Sequence, residues 1–270
     1  MAKVRAGSIT MGYEQQGSGE PLILIPHLAA DHACYAFQVA DYAKHFTCIS
    51  VDLRDTGESD KSTGKYTTET LADDVAALMQ ALGIDKAHVS GLSLGAATGM
   101  WLAAKYPGRV RSLSLHSAWS ATDAYIGAVV GSWQVMAKAL GSVIEMLIQA
   151  IFPWCLTPVL YAQKPDYVRS LADFVRGRPA QPLDAFIRQS DAVIAHDAMP
   201  ALSRIVAPTQ ITFGRHDAIT STRFAAPLQT IADAELHVFE NCSHAPIYED
   251  AAAFNEATLR FLRKRAAATG

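Results

Sequence analysis

A serine flanked by glycines two residues away on each side, Gly91-Leu92-Ser93-Leu94-Gly95, stands between an apolar run at residues 87–90 and a helix-like stretch at 96–105. Strand, tight turn and helix with a serine at the apex is the context in which G-x-S-x-G marks a nucleophile elbow. The hydroxyl is a weak nucleophile until a base removes its proton, and that base needs a third group to fix its tautomer. Both partners follow in the chain. The apolar run at 211–213 leads into Gly214-Arg215-His216-Asp217, and the run ending at Phe239 leads into Glu240-Asn241-Cys242-Ser243-His244. In the chain order of this elbow, acid and base come after the serine. Ser93 is therefore the expected nucleophile, His244 the base and Asp217 the acid. His216 is a competing base, but no acid would then follow on the next strand. Asp123 is a competing acid, and Glu240 reads as a solvated loop carboxylate. Two backbone N–H groups would have to face the oxygen that becomes negative. Leu94 supplies one as the residue after the nucleophile. The loop after the apolar run at 22–25 supplies the other, with Leu28 as the candidate.

These residues need a sheet to carry them. Residues 22–25, 48–52, 87–90, 110–116, 209–213 and 235–239 read as strands, and the intervening segments from residue 48 onward read as helices. Such alternation calls for a mostly parallel, doubly wound β-sheet with helices on both faces, an α/β class with its crevice at the C-terminal ends of the strands. Residues 121–196 interrupt it: they hold five prolines, helical patterns and no good strand. The expected division is a core of residues 1–120 and 197–270 with a helical lid at 121–196. Within the lid the spacing predicts one helix over 131–149, with Gln134, Lys138, Ser142, Glu145 and Gln149 forming a narrow polar stripe. The rest of its surface, including Trp133, Val135, Met136 and Leu140, would then be buried over a pocket. Further lid helices are expected over 167–178 and 182–196. Candidate pocket residues are His27, His116, Trp119, Trp133, Met136 and Trp154; His116 reads equally well as a structural histidine.

The chain has 270 residues, half of them apolar and 18% charged, which suits a large folded core rather than a disordered segment. A formal net charge of −3, with no long block of like charges, argues against nucleic acid as a partner. The N-terminal stretch lacks the apolar core of a signal peptide, and Cys34, Cys48, Cys155 and Cys242 show no paired spacing. A cytoplasmic protein with free thiols is expected. Charged residues break the apolar lid stretch, so stable membrane insertion is not expected, although an apolar lid surface could serve a homodimer contact. His27, Asp31 and His32 lack the further ligands of a metal site and read as a hydrogen-bonded loop. Neither a metal nor an organic cofactor is expected.

Over essentially its whole length the chain resembles the α/β-hydrolase superfamily, and within it the 3-oxoadipate enol-lactonase-like lactone and ester hydrolases. The residues that carry this are Leu28-Ala29-Ala30-Asp31-His32, the run VDLRDTGESD at 51–60, Gly91 to Gly95 of the elbow, Gly214-Arg215-His216-Asp217 and Ser243-His244. The resemblance implies Ser93, Asp217 and His244 as the triad, with Leu28 and Leu94 as oxyanion donors. Three features depart from the family pattern. Pro26-His27 stands where His-Gly is usual, Asp55 occupies a usual glycine position, and the lid carries the bulky Trp133, Met136, Met146, Phe152 and Trp154. The third points to a larger hydrophobic substrate than a small polar lactone. The expected activity is hydrolysis of an ester or lactone through an acyl-enzyme. C–C bond hydrolysis or acyl transfer on the same triad is the alternative chemistry, and a small-molecule receptor with a silent triad is the alternative class.

Overall fold

Residues 22–25, Leu-Ile-Leu-Ile, divide by parity, because alternate side chains of a strand point to opposite faces. Leu22 and Leu24 join one buried cluster, while Ile23 and Ile25 join another across the sheet. The computed structural model describes residues 1–267; positions 268–270 of the second core segment lie outside the described residues. Among these residues eight strands form one sheet: β1 (Ala2–Ala6), β2 (Ile9–Gln16), β3 (Glu20–Ile25), β4 (Phe46–Val51), β5 (Ala87–Leu92), β6 (Val110–His116), β7 (Thr209–Gly214) and β8 (Ala234–Phe239). Their spatial order is β1-β2-β4-β3-β5-β6-β7-β8. The β1–β2 and β2–β4 pairs are antiparallel and every other pair is parallel. Strand order reverses between β3 and β5, so their C-terminal ends open a crevice there.

Helices α1 (Ala36–Tyr42), α2 (Thr68–Ala81) and α3 (Leu94–Lys105) follow β3, β4 and β5. The α2 and α3 side chains pack into the cluster of Ile23, Val89, Leu113 and Ile211, and α1 into the cluster of Leu22 and Leu24 on the other face. After β7 and β8 the core closes with α10 (Ala225–Leu228), α11 (Pro246–Glu249) and α12 (Ala251–Ala267). Phe254, Phe261 and Leu262 of α12 lie in the same cluster as α1.

Between β6 and β7 the chain leaves the sheet and returns. Its two ends run side by side: Ala121 bridges Asp197, and Thr122 N–H donates to His196 C=O. The segment holds α4 (Ala124–Leu140), α5 (Val143–Met146), a π-helical turn at Leu147–Ile151, α6 (Phe152–Cys155), α7 (Pro158–Gln163), α8 (Pro165–Arg176) and α9 (Leu183–Ile194). The single helix expected over 131–149 is corrected. Gly141 adopts φ +64°, a left-handed end that glycine takes without a Cβ penalty, and Ser142 caps the next helix by accepting from Glu145 N–H. The helix also starts earlier, where Asp123 accepts from Ile126 N–H. Rephased in this way, α4 buries Ile126, Val129, Val130, Trp133 and Ala137. Val135, Met136 and Leu140, expected inside, are exposed.

Candidate active site

The turn at Ser93 is tighter than the sequence suggests. β5 continues to Leu92 and α3 begins at Leu94, leaving one residue for the reversal. Ser93 takes φ 53° and ψ −114°, a conformation L-residues hold only when their surroundings enforce it. The glycines make this possible by close approach. A Cβ on Gly91 would lie 2.2 Å from Gly95 O, and one on Gly95 would lie 2.1 Å from Ile25 O. Ser93 N–H donates to His116 C=O at 2.8 Å, and Ser93 C=O accepts from Ala96 and Ala97 N–H. The helix's own bonds thus leave Leu94 N–H without a protein acceptor among the described residues.

Asp217 and His244 sit in the loops after β7 and β8. His244 Nδ1 lies 2.9 Å from Asp217 Oδ2. The carboxylate also accepts from Ile219 N–H (2.7 Å), Thr220 N–H (3.0 Å) and the Thr220 hydroxyl (2.7 Å). Burial pushes this carboxyl up, but the His244 imidazole and these hydrogen bonds outweigh it and hold Asp217 down at about 2. An ionised Asp217 directs the proton of His244 to Nδ1 and leaves Nε2 as the basic nitrogen. Ser117 Oγ donates to His244 C=O at 2.7 Å, and Glu249 accepts from Ser243 N–H at 2.5 Å and from Thr157 N–H at 2.7 Å, so the histidine loop is pinned on both sides.

The loop after β3 turns sharply at residues 27–30. Ala30 N–H donates to His27 C=O, and Ala29 holds φ +60°. His27 Nδ1–H donates to Leu28 C=O at 3.0 Å, while the Tyr248 hydroxyl donates to Nε2 at 3.0 Å. Burial lowers the His27 imidazole to about 4, so it is neutral and its tautomer is set by those two bonds. Leu28 N–H has no protein acceptor among the described residues. Ser93, His244 and Leu28 all line one cavity of about 320 Å³. Its walls are mostly apolar, with Ile126, Val130, Trp133, Leu147, Phe152 and Leu171 on the 121–196 side. Arg178, also at this cavity, directs Nε and Nη2 to Asp31 Oδ2 at 2.9 and 2.8 Å.

A family model for the alpha/beta hydrolase fold matches residues 17–251. The chain belongs to this family. The hydrolase is 26% identical to 3-oxoadipate enol-lactonase 2 of Acinetobacter baylyi over 264 residues, covering 96% of this chain and 95% of that protein. It is 27% identical over 273 residues to the AB hydrolase superfamily protein YisY of Bacillus subtilis, covering 94% and 95%. The solved structure of the enol-lactonase from Burkholderia xenovorans LB400 superimposes with a TM-score of 0.87 at 26% identity, over 97% of this chain and all of that one. Within the superfamily, the hydrolase is enol-lactonase-like.

Not every expected pocket residue reaches the cavity of this hydrolase. His27, Trp119 and Trp133 line it. His116 does not: it is fully buried beneath the elbow, 3.1 Å from Ser90 Oγ and 2.8 Å from Thr212 Oγ1, with its ring edge on Phe254. Met136 lies on the outer face of α4, and Trp154, 37% exposed, faces outward from α6. Neither lines the cavity: α4 turns its Ile126, Val130 and Trp133 face towards it, and Trp154 lies on the separate short helix α6. His216, the alternative base, is exposed, and Glu240 pairs with Arg215 at the surface. Asp123 caps α4 and pairs with Arg223. His32 turns to Asp52 and Asp31 to Arg178, and among the described residues no group of three or more His, Cys, Asp and Glu side chains is arranged to hold a metal ion. No helix of these residues is long and apolar enough to cross a membrane. Sequence reasoning missed Tyr248, Thr220, Ser117, Glu249 and Gln189. Thr220 carried a local signal, three residues past the aspartate it caps; the others meet the site only through the fold.

Proposed function

We propose that the chain hydrolyses a carboxylic ester or lactone of a fairly bulky, uncharged hydrophobic small molecule through an acyl-enzyme on Ser93. The observation that carries this reading is a strained serine in an apolar cavity that it shares with the Asp217-paired His244. Ser93 Oγ attacks the carbonyl carbon and its proton passes to His244 Nε2. The new imidazolium is stabilised by Asp217, which keeps its charge throughout. The oxyanion is received by Leu28 and Leu94 N–H, both without a protein acceptor among the described residues and the second at the N-terminus of α3. His244 returns the proton to the alkoxide leaving group, then activates water against the acyl-enzyme and releases the acid.

The segment at 121–196 acts as a lid whose inner face selects the substrate. An apolar lining favours aliphatic or cyclic groups, and the cation at the cavity, Arg178, is engaged by Asp31. A substrate carboxylate would gain little there. The four cysteines are free thiols, which fits a reducing compartment such as the cytoplasm. The similarity to enol-lactonases supports lactones as well as open esters.

The test is labelling with a fluorophosphonate, followed by mass spectrometry of the modified peptide, alongside turnover of p-nitrophenyl esters of graded acyl length. Labelling should map to Ser93 and vanish in Ser93→Ala. Until the cavity is filled, kcat/KM should rise about fourfold per methylene, the equivalent of about 0.8 kcal/mol of buried CH₂. A wild type that binds a ligand but neither labels nor turns over any ester or lactone would defeat this reading in favour of a receptor.

A further inference from the structure

Residue 29 is the third position of the 27–30 turn, where a positive φ favours glycine, yet it is alanine at φ +60°. A left-handed non-glycine residue persists only when its neighbours hold it. Here both ends of the Leu28–Ala29 peptide are held. Its carbonyl accepts from His27 Nδ1–H, and its N–H donates to Gln189 Oε1 at 2.9 Å. Gln189 comes from α9, 160 residues further along the chain, and is fully buried. The same Oε1 accepts from Gln181 Nε2 at 3.3 Å, and Gln181 Nε2 also donates to Asp55 C=O at 3.1 Å. Next to Gln189, Arg188 grips the Asp55 carboxylate through Nε and Nη2. The second oxyanion loop is therefore fastened to the 121–196 segment by a buried polar chain.

We propose that Gln189 is a positioning residue for catalysis: by clamping the Leu28–Ala29 peptide it holds Leu28 N–H on the oxyanion. The segment that selects the substrate would then also complete the oxyanion hole. This rests on the hydrolase reading given above. Leu28 N–H belongs to the preceding peptide, so a Leu28–Ala29 peptide free to rotate would undo the 27–30 turn closed by Ala30 N–H on His27 C=O, and with it the aim of Leu28 N–H at an oxygen that becomes negative only in the transition state. Loss of the clamp should therefore lower kcat and leave substrate binding little changed.

Three variants separate positioning from structure. Gln189→Met keeps length and volume but removes the acceptor. Gln189→Asn keeps an amide but withdraws it by one methylene, and serves if the Met variant does not fold. Gln189→Glu keeps an oxygen where Ala29 N–H needs one. With the best ester of the graded series, Gln189→Met and Gln189→Asn should lose about 10–100-fold in kcat, with KM within about twofold, and the fluorophosphonate labelling rate should fall in parallel. Gln189→Glu should recover most of the loss. Hydrogen exchange of the Ala29 amide should speed up in the first two variants and not in the third. A wild type that turns over ester beside a Gln189→Met variant of equal kcat overturns the clamp alone, as does unchanged Ala29 exchange. A wild type inert to both ester and probe overturns the hydrolase reading instead.

Discussion

The carboxylate of Asp55, wholly shielded from solvent, receives Arg188 Nε and Nη2 at 3.1 Å each, joining the loop after β4 to α9. Asp55 stands at φ +71°, where the family pattern places glycine, and Ser62 N–H adds a third bond at 2.7 Å. The two sides of this pair are unequal. Arg188 also reaches Asp184 and stays partly in contact with water, whereas among the described residues Asp55 has no second ion-pair partner within 4 Å. Arg188→Ala should leave a buried carboxylate without its cation and cost on the order of 3 kcal/mol. Asp55→Gly removes that charge and relaxes a left-handed backbone, so its cost should stay below about 1 kcal/mol. Urea unfolding of the two variants side by side checks the asymmetry. Equally small losses would mean that the buried carboxylate does not depend on Arg188 for its compensation.

The loops that meet at the candidate site were legible because their signals are local. Glycines flank Ser93 at the close approaches that require them, and Asp217 and His244 each follow an apolar run that ends at the crevice. The alternation of runs also identified the mostly parallel sheet. The phase of the helices at 121–196 is where the periodicity misleads. The Gly141-Ser142 pair, a helix stop followed by a helix start, was present in the sequence, but the apolar periodicity ran through it and was read as one helix. Once the helix ends there, α4 alone sets the buried face, which is why Met136 lies outside; Trp154 falls on the later short helix α6. Periodicity carries no signal at all for contacts such as Ala29 with Gln189 or His27 with Tyr248, which lie 160 and 221 residues apart. Such contacts belong to the tertiary fold, and they tie the expected oxyanion donor in place.

Asp217 should be needed for turnover far more than for substrate binding. Asp217→Asn keeps the size of the side chain but offers an amide where His244 Nδ1–H needs an acceptor, which favours the wrong tautomer. The expected loss in kcat is about 10⁴-fold with KM little changed. Circular dichroism should match that of the wild type. A loss below tenfold would remove Asp217 from the triad and return attention to Asp123.

The glycines give opposite predictions according to their surroundings. In Gly95→Ala the new methyl would sit 2.1 Å from a backbone oxygen of β3, so the elbow cannot close without moving the sheet. That variant should be insoluble or inactive. A Cβ at Gly127 or Gly131 of α4 meets nothing within 4 Å. Gly131→Ala should therefore stabilise the protein by about 0.5–1 kcal/mol through helix propensity, with kcat unaltered. The midpoint of thermal unfolding reads both effects. A destabilised Gly131→Ala would show that α4 needs the freedom of glycine at that position.

Three buried histidines should make stability fall on the acid side of neutrality. Burial lowers His27 to about 4, His116 to about 3 and His196 to about 4, so all three are neutral in the folded protein at pH 5. The unfolded chain takes up a proton at each near pH 6.5. Above that pH neither state binds these protons and they do not affect stability. Between about pH 6.5 and 4 the unfolded state binds three more, so stability should fall by up to ~4 kcal/mol per pH unit. His88, also lowered by burial, steepens the fall, while His32, raised by its bond to Asp52, opposes it. Asp217 acts later: its low folded value gives stability that is present above pH 3.8 and lost as the pH falls towards 2. Urea midpoints at pH 7.5, 6.5, 5.5 and 4.5 measure the slope. Replacing the most deeply lowered of the three, as in His116→Phe, should reduce it by one proton, ~1.4 kcal/mol per pH unit. A flat profile between pH 6 and 4.5 would mean that these imidazoles reach solvent and charge without unfolding.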